Sequence, residues 1–415
     1  MSFDFKERIY SRFERFVRVD TRSDEKAESC PSTPGQLELG RIAAQEMKAI
    51  GLRNVTVDAN GYVTGELPAT PGVTAPAIGF LAHLDTSPDC SGANVIPGRH
   101  NNYQGGDIII SEAAGLTLSA GAHGLSGCKG HDIITASGGT LLGADNKAGM
   151  AIILAAFEYL AQNPSIRHGL LKAAFTPDEE IGRGADLFDV AGFGAEFAYT
   201  VDGDIEGTVE DETFNADSAS VSVTGRSYHP GSSKNLMYNA GRIAADIVAS
   251  WPEHMLPETT EDREGFIMFT DIRGDVEKAE LSAIVRDHDL KKLQEKEALL
   301  EAIVAEKRLK YPGAEIKLVF KQSYRNMKEV IARTPQVMEK LLAALAAEGV
   351  TPIHKPVRGG TDGARLSFMG LPTPNLFTGG SNFHGPYEWV SLDSMVKSAQ
   401  VVARLAQEWA SPPAF

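Results

Sequence analysis

The sequence predicts an α/β protein whose main sheet is covered by helices and into which a second, smaller unit is inserted. Short apolar runs alternate with helical patterns before residue 202 and again after residue 334, as in sheets that are buried on both faces. Between these parts, residues 215–324 change to strands of alternating polarity. At 415 residues the chain is also long for one hydrophobic core, so two domains are expected.

The part before residue 202 is predicted to contain amphipathic helices, a hairpin and buried strands. Phe5, Ile9 and Phe13 recur at helical spacing, so the chain opens with an amphipathic helix. A second helix covers residues 36–50 and ends at Gly51. The remaining patterns predict a hairpin at 55–58 and 62–67, strands at 77–84, 170–175 and 197–201, and a helix at 150–161. The stretch from 90 to 140 is rich in Gly, Asn and Ser and is predicted to contain only short strands.

The inserted unit is predicted from the order of its elements. Strand, helix, strand, strand, helix and strand patterns occur at residues 218–224, 235–250, 265–273, 281–286, 290–311 and 315–320. This β-α-β-β-α-β order is the ferredoxin-like one. A long helix at 334–348 and an apolar strand at 373–377 then resume the first pattern. The expected domains are therefore 1–214 together with 325–415, and an inserted domain at 215–324.

The composition excludes several classes of partner. A formal charge of −15 argues against nucleic acid and anionic membrane surfaces. Three scattered cysteines, none in a C-x-x-C pattern, indicate a reducing compartment and argue against cysteine ligation of zinc. The acidic N-terminus is unlike a signal peptide, and the longest apolar run, near residues 148–157, is too short to span a bilayer. We therefore expect a soluble, cytoplasmic protein.

Acidic and imidazole side chains follow the predicted strands, where the functional groups of α/β sheets usually lie. Asp145 follows a short apolar run and precedes a long helix, and by itself it could be a helix N-cap. Similar groups follow strand-like runs at His83-x-Asp85, Glu179-Glu180, Asp202-Gly203 and His384-Gly385. Two imidazoles and several carboxylates form the oxygen-rich set that a pair of divalent metal ions needs.

Each of these groups also has a purely structural interpretation. The H-x-D motif is common at surface strand ends, acidic pairs such as Glu179-Glu180 are usually solvated, and Asp202-Gly203 is also a turn sequence. In a strand, however, His83 and Asp85 project from the same face, so that the acid can orient a metal-bound imidazole. One acid of the Glu179-Glu180 pair can bind metal while the other acts as a general base on water. Only the complete set favours a metal site.

Six motifs together resemble a co-catalytic dizinc metallopeptidase family, over nearly the full length of the chain. They are F-L-A-H-L-D-T-S-P-D-C-S-G, L-L-G-A-D-N-K-A-G, F-T-P-D-E-E-I-G, Y-T-V-D-G, R-G-G-T-D-G and N-L-F-T-G-G-S-N-F-H-G. The resemblance is strongest to the tripeptide aminopeptidases of that family, which also includes enzymes that cleave acylated amino acids. It implies a mixed-sheet, three-layer zinc-peptidase domain, with the inserted ferredoxin-like domain serving as a lid.

The resemblance also implies a ligand set for two zinc ions per subunit. Asp145 is implied to bridge the two zinc ions. His83 and Asp202 would complete one site, and Glu180 and His384 the other. Glu179 would be the general base, and Asp85 would clamp His83. The family usually has Asp after the bridging Asp, whereas this chain has Asn146, which affects the hydrogen bonds behind the bridge and not the ligands. The Asp145–Asn146 peptide bond is expected to be cis, as in relatives.

Three residues are candidates for substrate binding. His229 lies in S-Y-H-P-G, which resembles the family's His-Pro-Gly turn, and Arg286 in I-V-R-D-H-D resembles its lid arginine. A guanidinium suits bidentate binding of a carboxylate, although Arg286 could equally pair with Asp287 or Asp289 at the surface. Arg358, in the R-G-G-T-D-G loop, is the other candidate.

The expected activity is removal of the N-terminal residue of tripeptides, by a metal-bridged hydroxide with Glu179 as base. A deacylase or dipeptidase of the same family is the alternative with the same chemistry. A non-catalytic peptide-binding scaffold is the alternative from another class, but such a protein should have lost ligands or the base. The partners expected are a tripeptide and, through the inserted domain, a second copy of the chain, with neither nucleic acid nor membrane.

Overall fold

The computed structural model describes residues 3–411, which fold into two compact units. The first unit comprises the chain up to Asp211, Met327–Lys355 and the chain from Thr361 onward. The second unit comprises Glu212–Asn326 and Pro356–Gly360. The sequence analysis predicted an inserted domain at 215–324 and did not predict that the short segment Pro356–Gly360 belongs with it.

Helices and strands alternate through most of the chain. Within residues 3–411 the α-helices are α1 (Phe5–Val17), α2 (Pro34–Ala49), α3 (Ala144–Gln162), α4 (Val190–Phe193), α5 (Ala240–Ala249), α6 (Leu290–Lys310), α7 (Lys328–Ile331), α8 (Gln336–Ala347), α9 (Asp362–Phe368) and α10 (Leu392–Ala410). The strands of the same range are β1 (Arg53–Val57), β2 (Val63–Leu67), β3 (Ile78–His83), β4 (Gly98–His100), β5 (Ile108–Ser111), β6 (Leu116–Leu118), β7 (Ile133–Thr135), β8 (Leu171–Thr176), β9 (Phe197–Gly203), β10 (Thr208–Glu210), β11 (Asn215–Thr224), β12 (Phe266–Gly274), β13 (Lys278–Asp287), β14 (Glu315–Tyr324), β15 (Ile353–His354), β16 (Asn375–Phe377), β17 (Gly380–Ser381) and β18 (Trp389–Ser391).

The first unit is built on a mixed sheet with the strand order β1-β2-β8-β3-β9-β16-β10-β15. Strand β3 pairs parallel with β8 and β9, and β9 pairs parallel with β16. The β1–β2, β2–β8 and β10–β16 pairs are antiparallel. Because parallel strands end at the same edge of a sheet, the residues that follow β3, β8 and β9 come together there.

Successive residues of the central strands enter two different cores, because a strand points alternate side chains to opposite faces. Phe80 packs in the core that α1, α3 and α10 share, whereas Leu81 packs with Phe188 and Leu366 in another. Helix α3 is buried on all sides along residues 148–158. A sheet covered on both faces confirms the predicted three-layer α/β class.

The stretch from 90 to 140 contributes short strands to two further sheets. Strands β4 and β7 join β17 and β18 in a sheet of order β17-β18-β7-β4, and β5 pairs with β6 in a hairpin. Trp389 of β18 and Ile133 of β7 are fully buried in one apolar cluster. The strand that follows His384 in the chain is therefore anchored on residues that lie far away in sequence.

The second unit has an antiparallel sheet of order β12-β13-β11-β14, packed against α5 and α6. In chain order these elements are strand, helix, strand, strand, helix and strand, which confirms the predicted ferredoxin-like order. Alternate residues of β11, such as Val221 and Val223, share a core with Leu300 and Val304 of α6. The short segment 356–360 belongs to this unit through backbone hydrogen bonds to residues just before β11.

Candidate metal centre

Three strand ends bring most of the predicted ligands together at one edge of the main sheet. His83 is the last residue of β3 and lies beside Thr176, the last residue of β8, in the parallel register. Glu179 and Glu180 follow β8 in a single 3-10 turn, and Asp202 lies near the end of β9. Parallel pairing thus explains why residues far apart in sequence reach one site.

Asp145 reaches the site from the start of α3. Gly143, just before the helix, has a φ of 81°, which favours glycine. Asp145 itself has non-helical angles, φ −83° and ψ 102°. The Asp145–Asn146 peptide bond is cis, as the family resemblance predicted. The carboxylate therefore projects from an irregular turn, and the regular helix follows from Lys147.

The carboxylate of Asp145 faces two imidazoles, one with each oxygen. Its Oδ1 is 2.8 Å from His83 Nε2, and its Oδ2 is 3.2 Å from His384 Nε2. His83 Nε2 is also 3.5 Å from Asp202 Oδ1, and His384 Nε2 is 3.0 Å from Glu180 Oε2. Two groups of three residues thus share Asp145, and within each group the possible ligand atoms lie within 4.8 Å of one another.

These donors fit divalent metal ions. Imidazole nitrogens and carboxylate oxygens are the ligands that zinc and similar ions take in proteins. The Oε1 atom of Glu180 is buried and has no hydrogen-bond partner among residues 3–411, so it can accept a cation. The two groups contain all five predicted ligands, which are His83, Asp145, Glu180, Asp202 and His384.

The crowded charges shift the protonation equilibria of the site. Burial raises the pKa of Glu180 to about 8 and that of Asp202 to about 6. Burial disfavours a protonated His83, but the charge of Asp202 and a hydrogen bond to Asp145 raise its pKa well above the ordinary value. Hydrogen bonds to Asp145 and Glu180 raise the pKa of His384 to about 11. Glu180, Asp202 and the two imidazoles thus bind protons more tightly than usual, whereas hydrogen bonds from His384 and His83 lower the pKa of Asp145.

Asp85 makes more contacts than the predicted one with His83. Its Oδ1 lies 3.3 Å and its backbone oxygen 3.1 Å from His83 Nδ1, the geometry that a clamp on the imidazole requires. The same carboxylate accepts the backbone N–H of Glu179 at 3.0 Å and that of Glu180 at 3.1 Å. Asp85 is fully buried. One buried acid therefore orients a candidate ligand and the turn that carries the candidate base.

Glu179 is held by the residue before it as well. Asp178, in the left-handed conformation with φ 57°, accepts hydrogen bonds from the Ser32 N–H at 2.8 Å and from the Gln36 side chain at 2.7 Å. Burial raises the pKa of Glu179 well above its ordinary value, and the charge of Asp362 adds to the effect. A raised pKa brings a carboxylate closer to the neutral range in which a general base takes up and returns a proton.

Two buried acids that border the site were not predicted. Glu388 accepts hydrogen bonds from backbone N–H groups at the start of α3, and Asp362 accepts one from the Thr176 hydroxyl at 2.6 Å. Burial raises the pKa of each to about 7. The available signal was an acid among apolar or small residues, since Glu388 precedes Trp389-Val390 and Asp362 stands in G-G-T-D-G.

Asn146 lies directly behind the bridging position and is fully buried. Its Oδ1 accepts the backbone N–H of Gly149 at 3.1 Å, and its Nδ2 has no partner among residues 3–411. A side chain at position 149 would meet the Val201 carbonyl oxygen at 2.0 Å and Asn146 Oδ1 at 2.4 Å, so only glycine fits there. The Asn146 side chain thus caps the irregular turn.

The three predicted substrate-binding residues lie in the second unit. His229 is exposed, and its Nδ1 accepts the N–H of Gly231 at 3.2 Å. Arg286 is half-buried, donates from Nη1 to the Arg358 carbonyl at 3.4 Å, and has an Nε without a partner among residues 3–411. The Arg358 guanidinium, by contrast, donates to the Thr260, Asp262 and Glu264 carbonyls and the Thr260 hydroxyl and lies over the Phe214 and Phe266 rings.

The surface ion pairs considered for Arg286 are replaced by other contacts. Asp287 pairs with Lys296 at 2.6 Å, and Asp289 caps the start of α6 by accepting the N–H of Lys291 at 2.7 Å. Both acids therefore have other partners, and the Arg286 guanidinium instead makes the long hydrogen bond to the Arg358 carbonyl.

The chain matches known proteins over most of its length. Residues 136–408 match the family model described as peptidase family M20/M25/M40. The chain is 47% identical over 403 residues to peptidase T of Bacillus pumilus, an alignment that covers 97% of this chain and 98% of that protein. An identity of 47% over nearly the whole length indicates membership of the same family and not only a shared fold.

Two solved structures have the same fold. A tripeptidase from Staphylococcus aureus aligns with a TM-score of 0.76 at 21% identity, covering 98% of each chain. A dinuclear metal-binding peptidase of the M20 family from Bacillus subtilis aligns with a TM-score of 0.65 at 14% identity, covering 97% of this chain and 98% of that one. Within residues 3–411, no helix combines the length and apolar character that crossing a membrane requires. The chain belongs to peptidase family M20/M25/M40 and is a hydrolase of that family.

Proposed function

We propose that the protein is an aminopeptidase that removes the N-terminal residue of tripeptides and uses two zinc ions per subunit. The observation that carries the proposal is the Asp145 carboxylate, whose two oxygens face His83 and His384 at 2.8 and 3.2 Å. A carboxylate shared between two ligand groups is what a two-metal hydrolase needs. The names of the relatives, peptidase T and tripeptidase, support the choice of substrate.

In this proposal the ligands divide into two sets around Asp145. His83 and Asp202 would hold one ion, and Glu180 and His384 would hold the other. The ions would supply Lewis acidity, which polarises a peptide carbonyl and lowers the pKa of a water nucleophile. Asp85 keeps the His83 ring in the orientation that presents Nε2 to the ligand group, since its carboxylate faces Nδ1.

Glu179 is the proposed general base. It takes the proton from the attacking water and returns it to the leaving amine, as the hydrolysis of an amide requires. Its raised pKa suits both transfers, because the group must bind the proton and then release it. The hydrogen bond from its backbone N–H to Asp85 fixes where its side chain starts.

His229, Arg286 and Arg358 remain the proposed substrate-binding residues, with unequal support. His229 is exposed, and the Arg286 guanidinium makes one long hydrogen bond, at 3.4 Å, and has a buried Nε without a partner among residues 3–411. The Arg358 guanidinium is already engaged by three residues of the segment 260–264. Arg286 is therefore the preferred candidate for the terminal carboxylate of the substrate.

The decisive experiment measures peptide hydrolysis with and without metal. Trialanine hydrolysis should disappear after treatment with a chelator and return when two equivalents of zinc are added, whereas N-acetyl-trialanine should not be cleaved. Manganese and cobalt should be compared with zinc to identify the preferred ion. Hydrolysis by the fully chelated protein would overturn the metal mechanism. Faster cleavage of N-acetylalanine than of trialanine would indicate a deacylase, and an inactive protein with two bound ions would indicate a scaffold.

A cytoplasmic location and a homodimer formed through the second unit are proposed from the sequence alone. The homodimer can be tested by light scattering at several concentrations. A monomer at every concentration would contradict it.

A further inference from the structure

Glu388 lies beneath the turn that carries Asp145 and is 1% exposed. Its Oε2 accepts the backbone N–H of Leu142 at 2.6 Å and that of Gly143 at 2.9 Å. Its Oε1 accepts the N–H of Asp145 at 3.1 Å. Both oxygens of one side chain are therefore used to bind three N–H groups of one short segment.

These N–H groups depend on Glu388 because of the local backbone. The first N–H groups of a helix have no partner within the helix, and the left-handed Gly143 and non-helical Asp145 interrupt the regular pattern as well. A buried N–H without an acceptor is costly, and a carboxylate near a helix N-terminus is also favoured by the helix dipole. Lys147 in the next turn is also buried, and its ammonium donates to the Val19 carbonyl at 2.8 Å.

The same loop contacts Asp145 at two points. His384 approaches the side chain, with Nε2 at 3.2 Å from Oδ2, and Glu388, four residues later, accepts the backbone N–H. The next residue, Trp389, begins β18, which pairs with β7 and β17 and is fully buried. The loop is therefore anchored immediately after Glu388, and it can hold Asp145 in a fixed orientation.

We propose that Glu388 is a positioning residue for the metal centre, which holds the Asp145 backbone so that each carboxylate oxygen points to a different ligand group. The inference rests on the proposed function, because it assigns Asp145 the bridging role. It adds a residue that binds neither metal nor substrate and acts through three backbone hydrogen bonds.

Glu388→Gln is the sharpest test, because the amide has the same shape but only one acceptor oxygen. Whichever way it is oriented, its NH₂ group faces a backbone N–H that the native carboxylate accepts. We expect zinc affinity to fall by about 10–100-fold, the usual effect of losing an outer partner of a metal ligand. A chelating indicator should report this loss directly, and kcat should fall while KM changes little.

Glu158→Gln is the matched control. Glu158 lies on the same helix and is also buried, but its carboxylate pairs with Arg12 at 2.6 Å and with Arg8. Its replacement should lower thermal stability without changing zinc affinity. Glu388→Asp, which keeps the charge but shortens the side chain, should recover part of the affinity that Glu388→Gln loses.

The outcomes separate this inference from the proposed function. A native protein that binds fewer than two zinc ions would reject the function itself. A native protein that binds two ions, with Glu388→Gln unchanged in zinc affinity and kcat, would reject the role of Glu388 alone. If Glu388→Gln and Glu158→Gln lower stability equally and neither changes zinc affinity, Glu388 is only structural and the inference is wrong.

Discussion

Asp85 accepts the backbone N–H of Glu179 at 3.0 Å with Oδ1, the same oxygen that lies 3.3 Å from His83 Nδ1. The candidate base and a candidate ligand thus share one buried carboxylate. A shift of Asp85 would move both groups, so its replacement should lower turnover.

Asp85→Asn should lower kcat for tripeptides by about 10–100-fold, in the range for outer partners of metal ligands. The amide keeps the size of the side chain but has one acceptor oxygen for the N–H groups of Glu179 and Glu180. Steady-state kinetics together with zinc content will check this. Asp58→Asn is the control, because Asp58 also accepts two backbone N–H groups, at 2.9 Å each, in the turn between β1 and β2. If both variants have native kcat, Asp85 does not position the base.

Glu179→Gln should retain two zinc ions and lose about 10²–10⁴-fold in kcat, the range for a general acid–base group. Glu180→Gln should instead lose zinc, because Glu180 Oε2 belongs to the ligand group at His384. Metal analysis of both purified variants, followed by kinetics at saturating zinc, distinguishes the two roles. Loss of zinc in Glu179→Gln with zinc retained in Glu180→Gln would mean that the assignments are reversed.

Local patterns predicted most of the fold, and their errors have local causes. The opening helix was predicted from apolar spacing and occurs as α1. Helix α5 begins at Ala240 and not at 235, because Asn239 caps it by accepting the Arg242 N–H at 3.0 Å. Helix α3 begins at Ala144, earlier than the apolar run at Met150 indicated, since its first turn consists of small and polar residues.

The candidate metal ligands could be predicted because they follow strand-like runs in the sequence. Side-chain contacts between residues that are distant in sequence could not be predicted in this way. Glu388 was missed because the N–H groups that it accepts are more than 240 residues away, at Leu142, Gly143 and Asp145. The engagement of Arg358 by residues 260–264 was missed for the same reason. A sequence shows that a turn needs acceptors, but only the fold shows which side chain supplies them.

The metal-free protein should become less stable as the pH rises from about 5 to 8. Burial raises the pKa of five acids of the site, with Glu179 well above its ordinary value, Glu180 at about 8, Asp362 and Glu388 at about 7 and Asp202 at about 6. Their ordinary values are 4.5 for Glu and 3.8 for Asp. In this interval these acids, together with His83 and His384, bind more protons in the folded state than in the unfolded state, so raising the pH favours unfolding. They outnumber the groups with lowered pKa values that oppose this trend, which are His100, His168, His288 and Lys147. The lowered pKa of Asp145 does not oppose this trend, because its contribution is complete above pH 5.

Zinc should reverse this dependence, because cations then replace protons as partners of the carboxylates. The free energy of unfolding should be measured by chemical denaturation at pH 5 and pH 8, with chelator and with excess zinc. We expect the chelated protein to be more stable at pH 5 than at pH 8. We expect the zinc-loaded protein to be more stable at pH 8 than at pH 5. A chelated protein that is at least as stable at pH 8 as at pH 5 would contradict the prediction.

Arg286 and Arg358 should have separable roles. Arg358→Ala should destabilise the second unit, because each lost hydrogen bond to a charged group costs about 1.5–3 kcal/mol and the guanidinium makes several. The Arg286 guanidinium has an unpartnered Nε and one long hydrogen bond, so Arg286→Ala should change stability little. Thermal unfolding of both variants tests this difference, and equal destabilisation would contradict it.

The same pair of variants tests whether substrate length is measured at the terminal carboxylate. An extended tripeptide spans only about 10 Å, at roughly 3.3–3.6 Å per residue, so its carboxylate lies at a fixed reach from the scissile bond. If Arg286 binds that carboxylate bidentately, tripeptides should exceed matched dipeptides and tetrapeptides in kcat/KM, and amidation of the C-terminus should greatly reduce cleavage.

Arg286→Ala should remove most of the length preference and the penalty of amidation while both zinc ions stay bound. Arg358→Ala, assayed below its unfolding temperature, should keep the length preference and the penalty of amidation. Native protein that cleaves tripeptides, tetrapeptides and amidated tripeptides equally well would show that no such carboxylate contact exists.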